Sequence, residues 1–217
     1  MYDFAYQKPT SLADAVKALS GDEDAKALAG GQTFIPVLKQ RLAKPSTVVD
    51  LSGLGLAGIT VSGSTVTIGA MTRHCDVAAS ADVKAKLPVL AGLASHIGDE
   101  AVRHRGTIGG SLANNDPTAD YPAAVLALGA TIKTDRRSIS ADDYFQGMFT
   151  TALEQGEIIT SVEFPIPARP RPDRSTTVDG LASRCFNTGM KVWPPAKAFA
   201  SSSPDSALTA SARLVGF

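Results

Sequence analysis

The chain has 217 residues, 44% of them hydrophobic and 19% charged, long enough to bury a full core as one large domain or two small ones. Its 21 Lys+Arg balance 21 Asp+Glu, but the neutrality divides into an acidic body, 14 against 18 up to Pro167, and a basic tail, 7 against 3, with no basic stripe interleaved with aromatics of the kind that binds nucleic acid. There is no apolar run long enough for a membrane span and no signal-peptide succession at the N-terminus, and Cys75 and Cys185 form neither a Cys-x-x-Cys nor a metal-ligand spacing with histidine, so the expectation is a cytoplasmic protein holding no iron-sulfur cluster of its own.

In chain order, Ser11-Leu12-Ala13-Asp14 approximates a capping box, and Leu12, Val16 and Leu19 then share one helical face up to Gly21. Ala25 to Ala29 and Thr47 to Leu51 are short apolar runs on either side of a second helix, which together make a compact β-α-β unit. Ser52-Gly53 and Gly55 to Gly58 form a glycine-rich connection suited to a lobe boundary. Beyond it, Ile59 to Val61 and Thr65 to Ile68 alternate around Ser62-Gly63 as a β-hairpin. Pro88 begins a helix lined by Leu90, Leu93, Ala94 and Ile97 and ended by Gly98. Pro122 to Leu128 predicts another helix stopped by Gly129, Ala130 to Lys133 and Arg137 to Ser140 have strand character, and residues 158 to 164 alternate as a strand that runs until Pro165 and Pro167. The division expected is a small lobe over 1–54, a larger lobe over 55–167 and an irregular tail over 168–217, where five prolines and eleven Ser or Thr leave no sustained period.

Two stretches carry candidate chemistry. In Ala29-Gly30-Gly31-Gln32-Thr33 the glycines free the backbone at the end of a strand, Thr33 is placed to cap a helix with Ile35, Leu38 and Leu42 on one face, and Pro36 fits its first turn. Such a turn aims unpaired N–H groups at an anion. Thr107-Ile108-Gly109-Gly110-Ser111 has the same character, and two amide cradles suit one diphosphate. The alternative is a pair of turns whose glycines serve packing alone. Neither stretch ends in Gly-Lys-Ser/Thr or contains Gly-x-Gly-x-x-Gly, which argues against kinase, ATPase and standard dinucleotide-fold readings for these two loops. His74, His96 and His104 share no metal-binding spacing and are expected to be structural, and Arg103 and Arg105 read as a solvated pair with phosphate or partner contact as the alternative.

The ordered set Ala29-Gly30-Gly31-Gln32-Thr33 with Ile35-Pro36, then Ile68-Gly69-Ala70-Met71-Thr72, then Thr107 to Ser111 with Asp116-Pro117 and Asp120, resembles the FAD-binding medium subunit of the molybdenum hydroxylases of the carbon monoxide dehydrogenase and xanthine dehydrogenase type, from about Tyr2 to Pro167. The resemblance implies an α+β, two-lobed FAD-binding fold of the PCMH or vanillyl-alcohol-oxidase-like type. It implies an FAD site on Ala29, Gly30, Gly31, Gln32 and Thr33 and on Thr107, Ile108, Gly109, Gly110 and Ser111, with backbone amides on the pyrophosphate, hydroxyls of Thr33, Thr107 and Ser111 donating, and Asn114 and Asp120 on ribityl or ribose hydroxyls. Asp120 has a second candidate role as a helix cap. No catalytic acid or base and no metal ligand is expected here. The implied partners are a large molybdenum-binding subunit and a small iron-sulfur subunit, with NAD, a quinone or oxygen as electron acceptor. A stand-alone flavin oxidoreductase on the same fold and a truncated, flavin-free assembly or binding protein are the alternatives. The family continues past Pro167 with a further domain whose features the tail lacks. A frameshift near Ala168 is therefore hypothesised, to be settled by translating the gene's other two frames, and weaker FAD binding is expected; a divergent or replaced C-terminal segment is the alternative.

Overall fold

Strand β1, Ala5–Gln7, is exposed along its whole length and is a strand only because it pairs in parallel with residues 47–49, which is why neither period nor composition announced it. In this computed structural model residues 1–167 are described, and the expectations for the tail lie outside them. Helix α1, Leu12–Ser20, begins at Ser11, whose hydroxyl accepts from the Asp14 N–H at 3.1 Å and donates to the Asp14 carboxylate at 2.6 Å, and it buries Ala15 and Leu19. Strand β2, Lys26–Leu28, helix α2, Phe34–Lys39, and strand β3, Thr47–Asp50, form the expected β-α-β unit, and the resulting parallel sheet has the order β1-β3-β2.

Helix α2 departs from expectation. Thr33 sits at its start in helical conformation and makes no side-chain cap, and of the three apolar positions only Leu38 is buried, Ile35 being 38% and Leu42 72% exposed. Arg41, at φ 59°, turns the chain out of the helix before Leu42 can join its face.

After a 3-10 turn at Leu51–Gly53, strands β4, Ile59–Ser62, and β5, Thr65–Gly69, make the predicted hairpin, with Gly63 supplying the positive φ its turn needs. Helices α3, His74–Ala79, and α4, Ala81–Lys86, follow, the second capped by Ser80. Helix α5, Pro88–His96, buries Leu90, Ala91, Leu93 and Ala94; α6, Glu100–Arg103, is capped by Asp99; α7 spans Ile108–Asn114 and α8 Asp120–Ala127. Strands β6, Thr131–Thr134, and β7, Ser138–Ser140, the short helix α9, Ala141–Tyr144, the pair β8, Phe145–Gly147, and β9, Thr150–Thr151, and finally β10, Ile159–Pro165, complete the described chain.

The second sheet is antiparallel throughout in the order β4-β5-β10-β6-β7, so β10 is its central strand. Its inward residues Val162 and Phe164 pack with Val66, Ile68 and Ile132 beneath the helices. Where β10 begins, its register against β6 shifts between Ile159 and Ser161, and strict alternation fails there: adjacent Ile158 and Ile159 are both buried. Ile158 joins a first core with Ala15, Leu19, Ala25, Val49 and Leu51, whereas Ile159 joins the larger second core. The molecule is thus α+β, with two apolar cores bridged by consecutive residues of one segment.

Candidate functional site

A cavity of about 490 Å³ lies between the first glycine turn, the start of α7 and residues 157–159. Ten of the twelve candidate site residues line it: Ala29, Gly30, Gly31, Gln32, Thr33, Thr107, Gly109, Gly110, Ser111 and Asn114. Ile108 and Asp120 do not. Ile108 is fully buried in the second core, and Asp120 heads α8, where desolvation raises its pKa against the lowering influence of His96. Nor does Asp120 cap that helix, because Ala119 occupies the cap position and no side-chain cap is made.

The two glycine stretches meet in space. A Cβ on Gly30 would collide with the Arg105 carbonyl, and one on Gly110 would lie 3.3 Å from Ala29 Cβ. Gly31 has φ 73°, and its substitution would also press on Ile35. The first stretch leaves its amides unengaged, since among the described residues no hydrogen bond is donated by the N–H of Gly30, Gly31, Gln32 or Thr33. Four such donors on a cavity wall require an acceptor from water or a ligand.

The second stretch differs from the expected loop of free amides, being the first turn of α7. The Ile108 N–H donates to the Thr72 carbonyl at 3.1 Å, Gly109 to Ala70 at 2.9 Å, Gly110 to the Thr107 hydroxyl oxygen at 3.2 Å and Ser111 to the Thr107 carbonyl at 3.0 Å. Gly109 is there for proximity, because a methyl would lie 2.6 Å from Ala70 Cβ. What this side offers a ligand is side-chain chemistry, the hydroxyls of Thr107 and Ser111 and the carboxamide of Asn114. Helix α7 ends at Asn115, at φ 44°, whose buried amide donates to the carbonyls of Gly147 and Thr150 at 2.7 and 2.8 Å and so ties the β8–β9 turn to the cavity helix.

The remaining wall contains residues that sequence reasoning passed over. Glu157 accepts from Thr134, from two nitrogens of Arg137 and from the Glu154 N–H, and the Arg137 hydrogen bonds hold its carboxyl down at about 2. His74, buried against Gly106 and Tyr121, has its pKa pulled down to about 4 by desolvation. Its signal was its place just after Ala70-Met71-Thr72, one of the stretches that carried the resemblance. Arg103 is structural, its guanidinium donating to the carbonyls of Ile97 and Gly98 at 3.2 and 2.8 Å, and His96 and His104 each bond a carbonyl one turn back in their own helices. Among the described residues no group of three or more His, Cys, Asp or Glu could hold a metal ion, and no helix is long and apolar enough to cross a membrane. Free amides, hydroxyls and a carboxamide around one cavity fit a ligand with a diphosphate and a polyol.

Residues 2–167 match the family of the FAD binding domain in molybdopterin dehydrogenase. The carbon monoxide dehydrogenase medium chain of Afipia carboxidovorans is 44% identical over 170 residues, covering 76% of this chain and 59% of that protein. The glyceraldehyde dehydrogenase medium chain of Sulfolobus acidocaldarius is 40% identical over 169 residues, covering 76% and 60%. Among solved structures, quinoline 2-oxidoreductase from Pseudomonas putida 86 superimposes with a TM-score of 0.75 at 40% identity, covering 77% of this chain and 60% of that one. The chain therefore spans about 60% of the length of the curated relatives it matches.

Proposed function

The chain belongs to the family of FAD binding domains of molybdopterin dehydrogenases, and on that premise we propose that it is the flavin-bearing, electron-transfer part of a heteromeric molybdenum hydroxylase. The observation that carries the reading is the row of four unengaged amides from Gly30 to Thr33 on the cavity wall. Partial positive charge on successive N–H groups neutralises a pyrophosphate without a lysine. Gly31, in its left-handed conformation, sets the direction of that row. Across the cavity, Thr107, Ser111 and Asn114 would hydrogen-bond the polyol hydroxyls, while Met71, Ile97 and Leu153 keep water from the apolar part of the space.

FAD, when bound, supplies an electron relay between the iron-sulfur clusters of a small partner subunit and an external acceptor such as NAD, a quinone or oxygen. Substrate oxidation belongs to the molybdenum site of a large partner subunit, so the substrate pocket lies in another polypeptide, and the assembly is cytoplasmic. This chain's own residues bind and orient the flavin and make no covalent bond to substrate.

The test begins with the purified chain, which should release FAD rather than FMN on denaturation and rebind added FAD. A colourless protein that neither releases nor rebinds flavin would refute the reading. Coexpressed with a large and a small subunit of a molybdenum hydroxylase, the chain should show substrate-dependent flavin reduction that it lacks alone. Turnover of a small substrate by the lone chain would instead establish a stand-alone flavin oxidoreductase.

A further inference from the structure

Four titratable side chains line the cavity, and three of them are already engaged with protein groups: Lys26 with the Glu23 carbonyl, Asp116 with Thr118, and Glu157 with Arg137. The fourth is His74, and no hydrogen bond from its ring is made among the described residues. It is 5% exposed, it stands at the first position of α3, and its main-chain N–H is anchored to the Gly106 carbonyl at 3.0 Å, which fixes the ring between α3 and the turn that leads into α7. The Nε2 edge lies against Gly106, where an added methyl would strike it, and Gly106 itself lines the cavity. Nδ1 is buried without a partner, as is the hydroxyl of Tyr121, whose ring centroid is 5.3 Å away.

A packing role alone explains this badly. A leucine or phenylalanine would fill the same space without the cost of burying Nδ1 unpartnered, so the imidazole is explained by what its other nitrogen, Nε2, can reach beside Gly106 on the cavity wall. Burial keeps the imidazole neutral at ordinary pH, leaving one nitrogen a donor and the other an acceptor. The missing Cβ at Gly106 keeps the Nε2 edge clear.

We propose that His74 is a ligand-contacting residue of this cavity, its Nε2 forming a hydrogen bond with the bound flavin nucleotide. The proposal rests on the reading of the cavity as an FAD site and adds to it a residue outside both glycine stretches.

The full chain is titrated with FAD, with flavin fluorescence reporting affinity, in parallel with His74→Gln, His74→Asn, His74→Phe and Gly106→Ala. A glutamine amide nitrogen reproduces the position of Nε2 and an asparagine amide that of Nδ1. The expected pattern is therefore retention of affinity within about threefold in the Gln variant, and loss of about tenfold or more in the Asn, Phe and Gly106→Ala variants. Rescue by Asn instead of Gln, or unchanged affinity in the Phe variant, overturns the proposal. Because a variant can fail to fold, the unsubstituted chain labelled with ¹⁵N-histidine gives a second readout: the His74 Nε2 resonance moves on saturation with FAD, and one that stays in place overturns the proposal. An unsubstituted chain that binds no FAD refutes the flavin reading itself, a different failure from binding that ignores His74.

Discussion

Glu157→Gln is the substitution for which the structure gives the firmest magnitude. The residue is 7% exposed, its Oε1 accepts from Thr134 Oγ1 at 2.8 Å and Arg137 Nε at 2.9 Å, and its Oε2 accepts from Arg137 Nη2 and the Glu154 N–H, both at 2.8 Å. A glutamine keeps one acceptor oxygen and turns a donor toward a donor at the other, whichever way it is placed. The hydrogen bonds from Arg137 are the largest cause holding the carboxyl at about 2, from an ordinary 4.5. That difference corresponds to about 3 kcal/mol of native-state stabilisation, reduced to about 2 kcal/mol because Arg137 is 42% exposed and can be rehydrated when its partner is lost. With a depressed folded-state pKa, the contribution is complete above pH 4.5 and disappears as pH falls toward 2. The variant should therefore melt about 4–8 °C below the parent at pH 7, and the gap should shrink by about a third to a half at pH 3.5. Thermal denaturation followed by circular dichroism at several pH values measures both. Equal melting at pH 7, or a gap of constant size down to pH 3, would refute the account of this ion pair.

The other predictions concern the cavity and its supports. Gly31→Val should abolish FAD retention and cost about 1–3 kcal/mol, since a β-branched residue would be forced to φ 73° against Ile35; unaltered retention, measured by flavin content after gel filtration, would mean that the turn only packs. Asp120→Ala should change FAD affinity less than Gly31→Val does, because Asp120 stands off the cavity wall; a larger loss on titration would restore it to the site. Asn115→Asp should destabilise by about 3 kcal/mol in urea unfolding, because a carboxylate would face the carbonyls of Gly147 and Thr150 in a buried position, and stability equal to the parent would show that these bonds are dispensable.

Much of the fold was legible in local chemistry. The Ser11 cap, the hairpin around Gly63, Pro88 at a helix start and the alternation of Val162 and Phe164 are each decided by neighbouring residues. The errors fall where distant contacts decide. Residues 108–114 contain two glycines and read as a loop, yet they are helical because Thr107 caps the first turn and Gly109 lets the helix lie against Ala70. Strand β1 exists only through β3. The first glycine stretch was recognised as a turn with free amides, but whether the second kept its own amides free depended on carbonyls at Ala70 and Thr72, far away in the chain. His74 was set aside because spacing reports on metal ligation and is silent on burial beside a cavity.

The central place of β10 has a consequence for biogenesis. Of the described strands it is the last to leave the ribosome, yet it separates β5 from β6, so until it arrives the hairpin β4–β5 and the pair β6–β7 each present an open hydrogen-bonding edge to solvent. Residues 70–158, 89 in all, lie between β5 and its partner β10, so the larger sheet closes late, through contacts of high sequence separation. During that interval the nascent chain has two adhesive borders and an uncovered apolar face, the condition in which chaperones hold a polypeptide and in which neighbouring chains on one message exchange strands.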